Sequence, residues 1–345
     1  MTSSNCQEQP PLTLTHSDAQ LSGHRPRWDL TIAICTYNGE ARLPAVLRCL
    51  QACYDHRTAD DRPVMSWGVL VVDNNSRDRT AQIIQSFQAD PDYPVPLHYC
   101  QEPRQGLAFA RQRAIETATS EWVAFVDDDN LPQPDWVVAA YQFTQACPQV
   151  GAFGGRVLPA FESEPPTYFA QIACFLSVNE RLPATSFLYT RAARLLPPGA
   201  GLVVRRAAWQ ACVPPELSLC GRVGDWQLAS EDLEALTYIQ NGGWEIWHNA
   251  TMQLRHQLPQ SRLTRSYLLN VVRGTGLARH RIRMVRLPAW QRPLFWGLYL
   301  LNDVQKALRF YLCHRDRLET DVAAACQWEF LTSSIKSPFF LWRYR

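Results

Sequence analysis

Three apolar runs, Leu30–Cys35, Val69–Val72 and Trp122–Val126, each stop abruptly at a cluster of polar side chains, and this recurrence constrains the fold more than any other feature of the chain. Near-continuous apolar runs of this length are the mark of strands buried on both faces of a parallel sheet. Helical patterns lie between them. Leu43, Val46, Leu47 and Leu50 follow the i, i+3, i+4, i+7 rule, with Pro44 acceptable only in a first turn, where its missing N–H costs nothing. Asp78 can cap a helix bearing Ile83, Ile84 and Phe87, and Gly106 opens a segment that gathers Leu107, Ala110, Ala114, Ile115 and Ala118 on one face. Alternating strands and helices predict right-handed crossovers and an α/β fold built on a doubly wound, mostly parallel sheet.

Ligands of such sheets bind beyond the carboxyl ends of the strands. Here those ends are Thr36-Tyr37-Asn38, Asp73-Asn74-Asn75-Ser76 and Asp127-Asp128-Asp129-Asn130, so carboxylates and amides converge on one rim. Three adjacent aspartates repel one another unless a cation sits among them. Mg²⁺ or Mn²⁺ suits the triplet, since these ions take one or two carboxylates and complete their shell with phosphates and water. A solvated acidic turn leading into the next helix is the competing account. Asp73, with Asn74, Asn75 and Ser76 behind it, can hydrogen-bond a base or a ribose, or simply start a helix. The second half is less regular: a Gly199-Ala200-Gly201 turn, a short strand Leu202–Val204, a helix around Glu231-Asp232 and a Gly242-Gly243 turn.

Taken in order, Ile32–Asn38, Val71–Asp78, Gly106–Arg111, Phe125–Asp129, Gly199–Gly201 and Glu231-Asp232 resemble the motifs of the family 2 glycosyltransferases, over roughly residues 28 to 280. The resemblance implies a GT-A fold with a helical C-terminal extension, and a donor-binding set of Thr36, Tyr37, Asn38, Asp73, Asn75, Gly106, Arg111, Asp127 and Asp128. It implies that Asp127 and Asp129 form the metal-binding DxD pair, Asp129 being the direct ligand, with His256 beside the diphosphate and metal. It makes Asp232 the catalytic base, with Glu231 next to it. The implied reaction is an inverting transfer of a sugar from a nucleotide sugar, with a UDP-sugar favoured, to a saccharide or lipid-linked acceptor. Arg262, Arg265, Arg273 and the run Gly274–Arg279 resemble a subgroup that makes bacterial surface polysaccharides, the hormogonium polysaccharide glycosyltransferases in particular. Absence of a Gln-x-x-Arg-Trp motif favours single-sugar addition over processive synthesis. The rival reading is a non-catalytic nucleotide-sugar-binding scaffold, which would be expected to lose the base or the DxD pair; both are present.

The organisation expected from these signals is a disordered tail over 1–28, a GT-A domain over 29–255 and a basic, aromatic-rich helical region over 256–345. The tail has neither a basic start nor an apolar core, so no signal peptide is expected and the chain is expected in the cytoplasm. The uncharged stretch Pro293–Asn302 is far short of the roughly 18 apolar residues of a membrane span, which leaves only peripheral contact with the inner face of the plasma membrane. Eleven cysteines without a CxxC pair read as reduced core residues. Net charge is +2, and no nucleic-acid partner is expected, but residues 255–286 hold eight arginines and no acid. That stretch is expected to face an anionic acceptor or a membrane surface, with Arg279, Arg283 and Arg286 on one helical face and Trp290, Phe295, Trp296 and Tyr299 as interfacial anchors. A solvated basic face over an aromatic core explains the same residues equally well.

Overall fold

The computed structural model describes residues 28–55, 65–193, 195–221 and 228–343. The tail 1–28 lies outside these apart from Trp28, whose ring meets His98 edge-on at 5.1 Å. In chain order the elements are β1 (Leu30–Thr36), α1 (Leu43–Asp55), β2 (Trp67–Asp73), α2 (Thr80–Ala89), β3 (Leu97–Gln101), α3 (Leu107–Thr117), β4 (Trp122–Phe125), β5 (Asn130–Pro132), α4 (Trp136–Ala146) and β6 (Val150–Phe161). They continue with α5 (Phe169–Ile172), β7 (Phe187–Leu188), β8 (Val203–Arg205), α6 (Arg206–Cys212), α7 (Glu231–Asn241), β9 (Glu245–Leu258), α8 (Arg265–Arg286), α9 (Arg292–His314) and α10 (Val322–Arg343).

The strands form one sheet in the order β3-β2-β1-β4-β8-β6-β9-β5, with β7 also on β9. Pairing is parallel from β3 to β4 and between β6 and β9, and antiparallel where β8, β5 and β7 join. The three apolar runs become β1, β2 and β4, and every residue of each is buried. Alternate side chains serve opposite faces. Ile32 and Ile34 pack under α1, α2 and α4 through Leu47, Ile84 and Trp136. Ala33 and Cys35 pack under α3, α6 and α7 through Ile115, Trp209 and Leu236. The sheet is thus doubly wound, as the alternation predicts.

Two long strands escape the sequence reading. β6 carries Gly151, Gly154, Gly155 and Pro159, which weaken a strand pattern, and β9 is polar on every second residue. The expected boundary between 255 and 256 falls inside β9, which pairs with β6 as far as Leu258↔Phe161. The helical region therefore begins after the strand. Of the ten cysteines among the described residues all are unpaired, but Cys174 and Cys313 are exposed rather than in the core. No described helix is long and apolar enough to cross a membrane.

The basic stretch is turned inward. Arg273 meets Glu329 at 2.6 Å, Arg281 meets Glu234 at 2.7 Å, and Arg279 and Arg283 share Asp303, Arg283 Nη2 lying 2.9 Å from Oδ1. Arg265 donates to the carbonyls of Leu318 and Glu319 at 2.7 Å. The acids absent from 255–286 are supplied by α7, α9 and α10, so Arg279 and Arg283 do not face an anionic surface. Phe295 and Tyr299 are likewise only half exposed, and Tyr299 lies beneath the Arg283 guanidinium at 4.7 Å.

α8 and α10 approach closely at Gly276, where an added Cβ would come within 2.7 Å of Ser333 Cβ and 2.9 Å of the Phe330 carbonyl. Gly276→Ala should therefore lower unfolding stability by about 1–3 kcal/mol through overpacking. Gly297→Ala in α9, where an added Cβ meets nothing within 4 Å, should raise stability by about 0.5–1 kcal/mol through helix propensity. Denaturant unfolding of both variants checks the pair; equal effects would contradict the close crossing.

Candidate active site

Thr36 and Asp73 are register partners at the ends of β1 and β2. The loops beyond them are buttoned together: Asn38 N donates to Ser76 Oγ at 3.0 Å, Arg77 N donates to Asn38 Oδ1 at 2.9 Å, and Gly39 N donates to Thr80 Oγ1 at 2.9 Å. Asn38 and Asn75 take positive φ, 50° and 65°, a region asparagine tolerates better than most side chains. Asp73 is buried; Oδ1 accepts from Ser76 N and Oδ2 from the Tyr99 hydroxyl, both at 2.8 Å. Burial first, and then this hydrogen bond, push the Tyr99 phenol above its ordinary range. Asn74 bridges to the next element, its Oδ1 accepting from Gly106 N at 2.7 Å. Gly106 has φ 142°, and a Cβ there would lie 2.7 Å from the Cys220 carbonyl, so glycine is required where α3 begins.

The aspartate triplet after β4 is neutralised from within. Asp128 takes a two-pronged contact from Arg42, Nε to Oδ1 at 2.9 Å and Nη2 to Oδ2 at 2.8 Å, and a 2.6 Å hydrogen bond from Thr36 Oγ1. Asp127 Oδ1 lies 3.5 Å from Arg111 Nη2, and Asp129 Oδ2 lies 2.6 Å from Arg262 Nη2. Each carboxylate has its own arginine, so mutual repulsion does not by itself demand a metal. Burial, opposed by Arg111 and reinforced by Asp129, raises the Asp127 pKa above the usual carboxylate value. Burial also acts to raise Asp129, but His256 and Arg262 outweigh it and hold that carboxyl well below the usual range.

His256 reaches this corner because β9 alternates, placing Met252, Leu254, His256 and Leu258 on the buried side. Its Nε2 lies 3.4 Å from Asp129 Oδ2 and 2.8 Å from Arg262 Nη1. A proton on Nε2 would serve the first contact and a lone pair the second. The shorter contact, together with Nδ1 at 3.0 Å from the Leu176 carbonyl, assigns a proton to Nδ1 and a lone pair on Nε2 to the Arg262 contact. Among the described residues no three His, Cys, Asp or Glu side chains gather as a metal-holding group. Asp129 and His256 form a pair, while Asp127 is turned to Arg111. Two protein groups suit a hard divalent ion that draws its other ligands from phosphates and water.

Opposite, α7 starts at Ser230, whose φ is 83°, and its first turn carries Glu231, Asp232 and Glu234, as the helix dipole favours. Glu231 is buried 3.1 Å from Arg111 Nη1. Arg111 is therefore a buried cation between Glu231 and Asp127; burial works against its charge, but these acids and Asp232 more than compensate and raise its pKa. Asp232 Oδ2 accepts from Gly199 N at 2.5 Å and Oδ1 from Leu233 N at 2.8 Å. A Cβ at position 199 would sit 2.5 Å from Arg111 Nη2 and 2.9 Å from Asp232 Oδ2. Only glycine lets that backbone reach both groups.

These residues surround one cleft of about 800 Å³, with Thr36, Arg111, Asp127, Asp129, Asp232 and His256 all on its wall and residues of the segments 170–182 and 195–200 completing the lining. Tyr37, Gly106, Asp128 and Glu231 also line it; Asn38, Asp73 and Asn75 do not, Asp73 being buried behind the loop and Asn75 exposed on it. Sequence reasoning missed Arg42, which lines the cleft, and Tyr99, which holds Asp73. Arg42 had a usable signal, since a cation three residues beyond Gly39 at the same rim is a natural partner for an acidic triplet; Tyr99 had none.

Residues 31–186 match the model of glycosyl transferase family 2. The chain is 31% identical over 103 residues to a glucosyl-dolichyl phosphate glucuronosyltransferase of Haloferax volcanii, covering 30% of this chain and 32% of that protein. It is 29% identical over 119 residues to a putative teichuronic acid biosynthesis glycosyltransferase of Bacillus subtilis, covering 34% of this chain and 46% of the other. The match thus spans about a third to a half of the length of these curated relatives. A solved mannosyltransferase of Pyrobaculum calidifontis, in complex with GDP-Man and Mn²⁺, has the same fold with a TM-score of 0.54 at 18% identity, over 91% of this chain and 88% of that one. With a GT-A sheet and the ordered motifs on its rim, the chain is similar over residues 31–186 to glycosyl transferase family 2.

Proposed function

We propose that the chain transfers a single sugar from a nucleotide-diphosphate sugar to an acceptor hydroxyl, with inversion, in the synthesis of a polysaccharide or glycoconjugate. The observation that carries this reading is Asp232, held at the cleft wall by the Gly199 N–H on an element separate from the Asp129–His256 corner. Each Asp232 oxygen accepts one backbone N–H, and a carboxylate oxygen has a further lone pair for a proton. Asp232 takes the proton of the acceptor hydroxyl while that oxygen bonds to the anomeric carbon. The bond from that carbon to the diphosphate breaks on the opposite face, and the nucleoside diphosphate leaves with the electron pair. Thr36, Tyr37, Gly106, Arg111 and Asp127 are assigned to the donor as cleft-lining groups, with Asn38, Asp73 and Asn75 fixing the loops behind them and Asp128 bracing Thr36 against Arg42.

A divalent ion, Mg²⁺ or Mn²⁺, would be held by Asp129 and His256 and would supply Lewis-acid neutralisation of the leaving diphosphate. The fit rests on the donor set, one carboxylate and one imidazole lone pair already facing a cation, the Arg262 guanidinium. Glu231 is assigned to positioning, through Arg111, rather than to proton transfer.

Asp232→Asn should lower turnover by about 10²–10⁴-fold, the usual contribution of a general base, with little change in donor affinity. Asparagine can keep only one of the two N–H acceptors, so the unfolding temperature is read alongside. Glu231→Gln should show the opposite balance: a smaller loss of turnover and a larger loss of stability, up to about 3 kcal/mol, because it removes one of the two carboxylates flanking the buried Arg111 cation. Near-normal turnover in Asp232→Asn, or donor binding lost in parallel with activity, would remove Asp232 from the role.

Nucleoside diphosphate binding should require Mn²⁺ or Mg²⁺, and calorimetric titration with and without EDTA reads this directly; equal affinity in both would sink the metal assignment. In the absence of nucleotide, Arg262→Ala should bind Mn²⁺ more tightly than the parent chain, since the guanidinium no longer competes for Asp129 and His256. Unchanged or weaker Mn²⁺ binding would show that Arg262 and the ion do not share a place. A screen of nucleotide sugars, with UDP-sugars first and nucleotide release as readout, identifies the donor.

A further inference from the structure

α9 is the most exposed long helix of the fold and presents its apolar residues to solvent. Leu294, Leu298, Leu301, Leu308 and Leu312 follow a four-three spacing along one stripe, broken once at Gln305, with Val304 beside it. Leu294, Leu301 and Leu312 are each more than 60% exposed, and Trp290, just ahead of the helix, is 77% exposed. The opposite side of the helix is the packed one: Asp303 and Ala307 are its two buried residues, and Asp303 holds Arg279 and Arg283 of α8. At the amino end Trp296 meets the exposed Phe339 of α10 edge-on at 5.9 Å, which extends the apolar surface onto a second helix. A monomer in water rarely leaves so long a row of leucines uncovered.

We propose that this face of α9 lies on an anionic lipid bilayer, with the helix in the interfacial plane. Charge decides between a bilayer and a second copy of the chain. Arg292, Lys306 and Arg309 are exposed on α9, while its single acid, Asp303, is buried and already paired. A second α9 therefore brings no exposed carboxylate to meet these cations, as the flanking positions of a two-helix interface require. Anionic head groups do. A broad apolar face with a basic flank and a tryptophan at one end is the pattern of helices that lie in the interface. At about 1.5 Å per residue the helix is long enough to cross, but it is too polar to do so. The assignment is independent of the catalytic one, because none of these residues lines the cleft.

The test is flotation of the full chain with phosphatidylcholine vesicles, with and without phosphatidylglycerol. The parent chain should float with the phosphatidylglycerol vesicles and release as salt is raised. Replacing Leu298, Leu301 and Leu308 together by glutamate should weaken binding by about tenfold for each leucine withdrawn from the apolar phase, with the unfolding temperature unchanged. Lys306→Gln with Arg309→Gln should cost about fivefold each, on the anionic vesicles alone. No flotation of the parent chain, or flotation of the glutamate variant equal to it, overturns the proposal. So does a lipid-free dimer in sedimentation equilibrium that the same three glutamates dissociate, since the face then belongs to a second copy.

Discussion

Three adjacent aspartates at the end of β4 set the terms for everything around them. Their charges cannot stay close together in a cleft without cations, and the fold recruits a different one for each: Arg111 from α3, Arg42 from the loop entering α1, and Arg262 from beyond β9. Each cation is also a tie between parts of the chain distant in sequence. Arg111 passes the connection on to Glu231 at the start of α7, and Gly199 closes the circuit by reaching Asp232. The geometry of the cleft is thus held less by the sheet than by electroneutrality imposed on its rim. Removing one member of such a set leaves a buried charge unpaired, which costs far more than the surface pairs elsewhere on the molecule.

How much of this the sequence discloses depends on whether a feature is local. β1, β2 and β4 are legible because burial on both faces leaves nothing but apolar residues, and the polar groups that end them are legible because the runs stop so sharply. Gly106 could be read for the same local reason; Asp78 stands one residue ahead of the cap position, Arg79, and its Oδ1 accepts from Thr80 N at 3.0 Å as α2 begins. Apart from Arg42, which stands on the same rim, the partners of the triplet were not legible, because nothing near Asp127 or Asp129 indicates that their cations are Arg111 and Arg262. β9 fell between the two cases. Its alternation from Met252 to Leu258 was present in the residues, but His256 and the arginines around it read as a basic stretch rather than as one face of a strand.

The same lesson explains the C-terminal region. Eight arginines without an acid suggest a surface waiting for an anion only if neutralisation is sought in sequence neighbours. Asp303, Glu234 and Glu329 arrive from other helices and absorb the charge. What remains uncompensated is the apolar side of α9, which the arginine pattern obscured. A helix anchored through a buried acid on one side is free to be unusually apolar on the other, because the anchor does not draw on hydrophobic contact.

Arg262 gives the cleft one more property. Its guanidinium already stands against Asp129 and the His256 lone pair, so the acidic corner is charge-balanced before any ligand enters. In small metal-organised domains the ion supplies the folding free energy, and the apo chain is unfolded. Here the balance comes from a side chain of the protein itself, so folding of this corner needs no bound ion. Under the proposed metal binding, folding and loading would be separate events, an external counter-ion taking the place of an internal one.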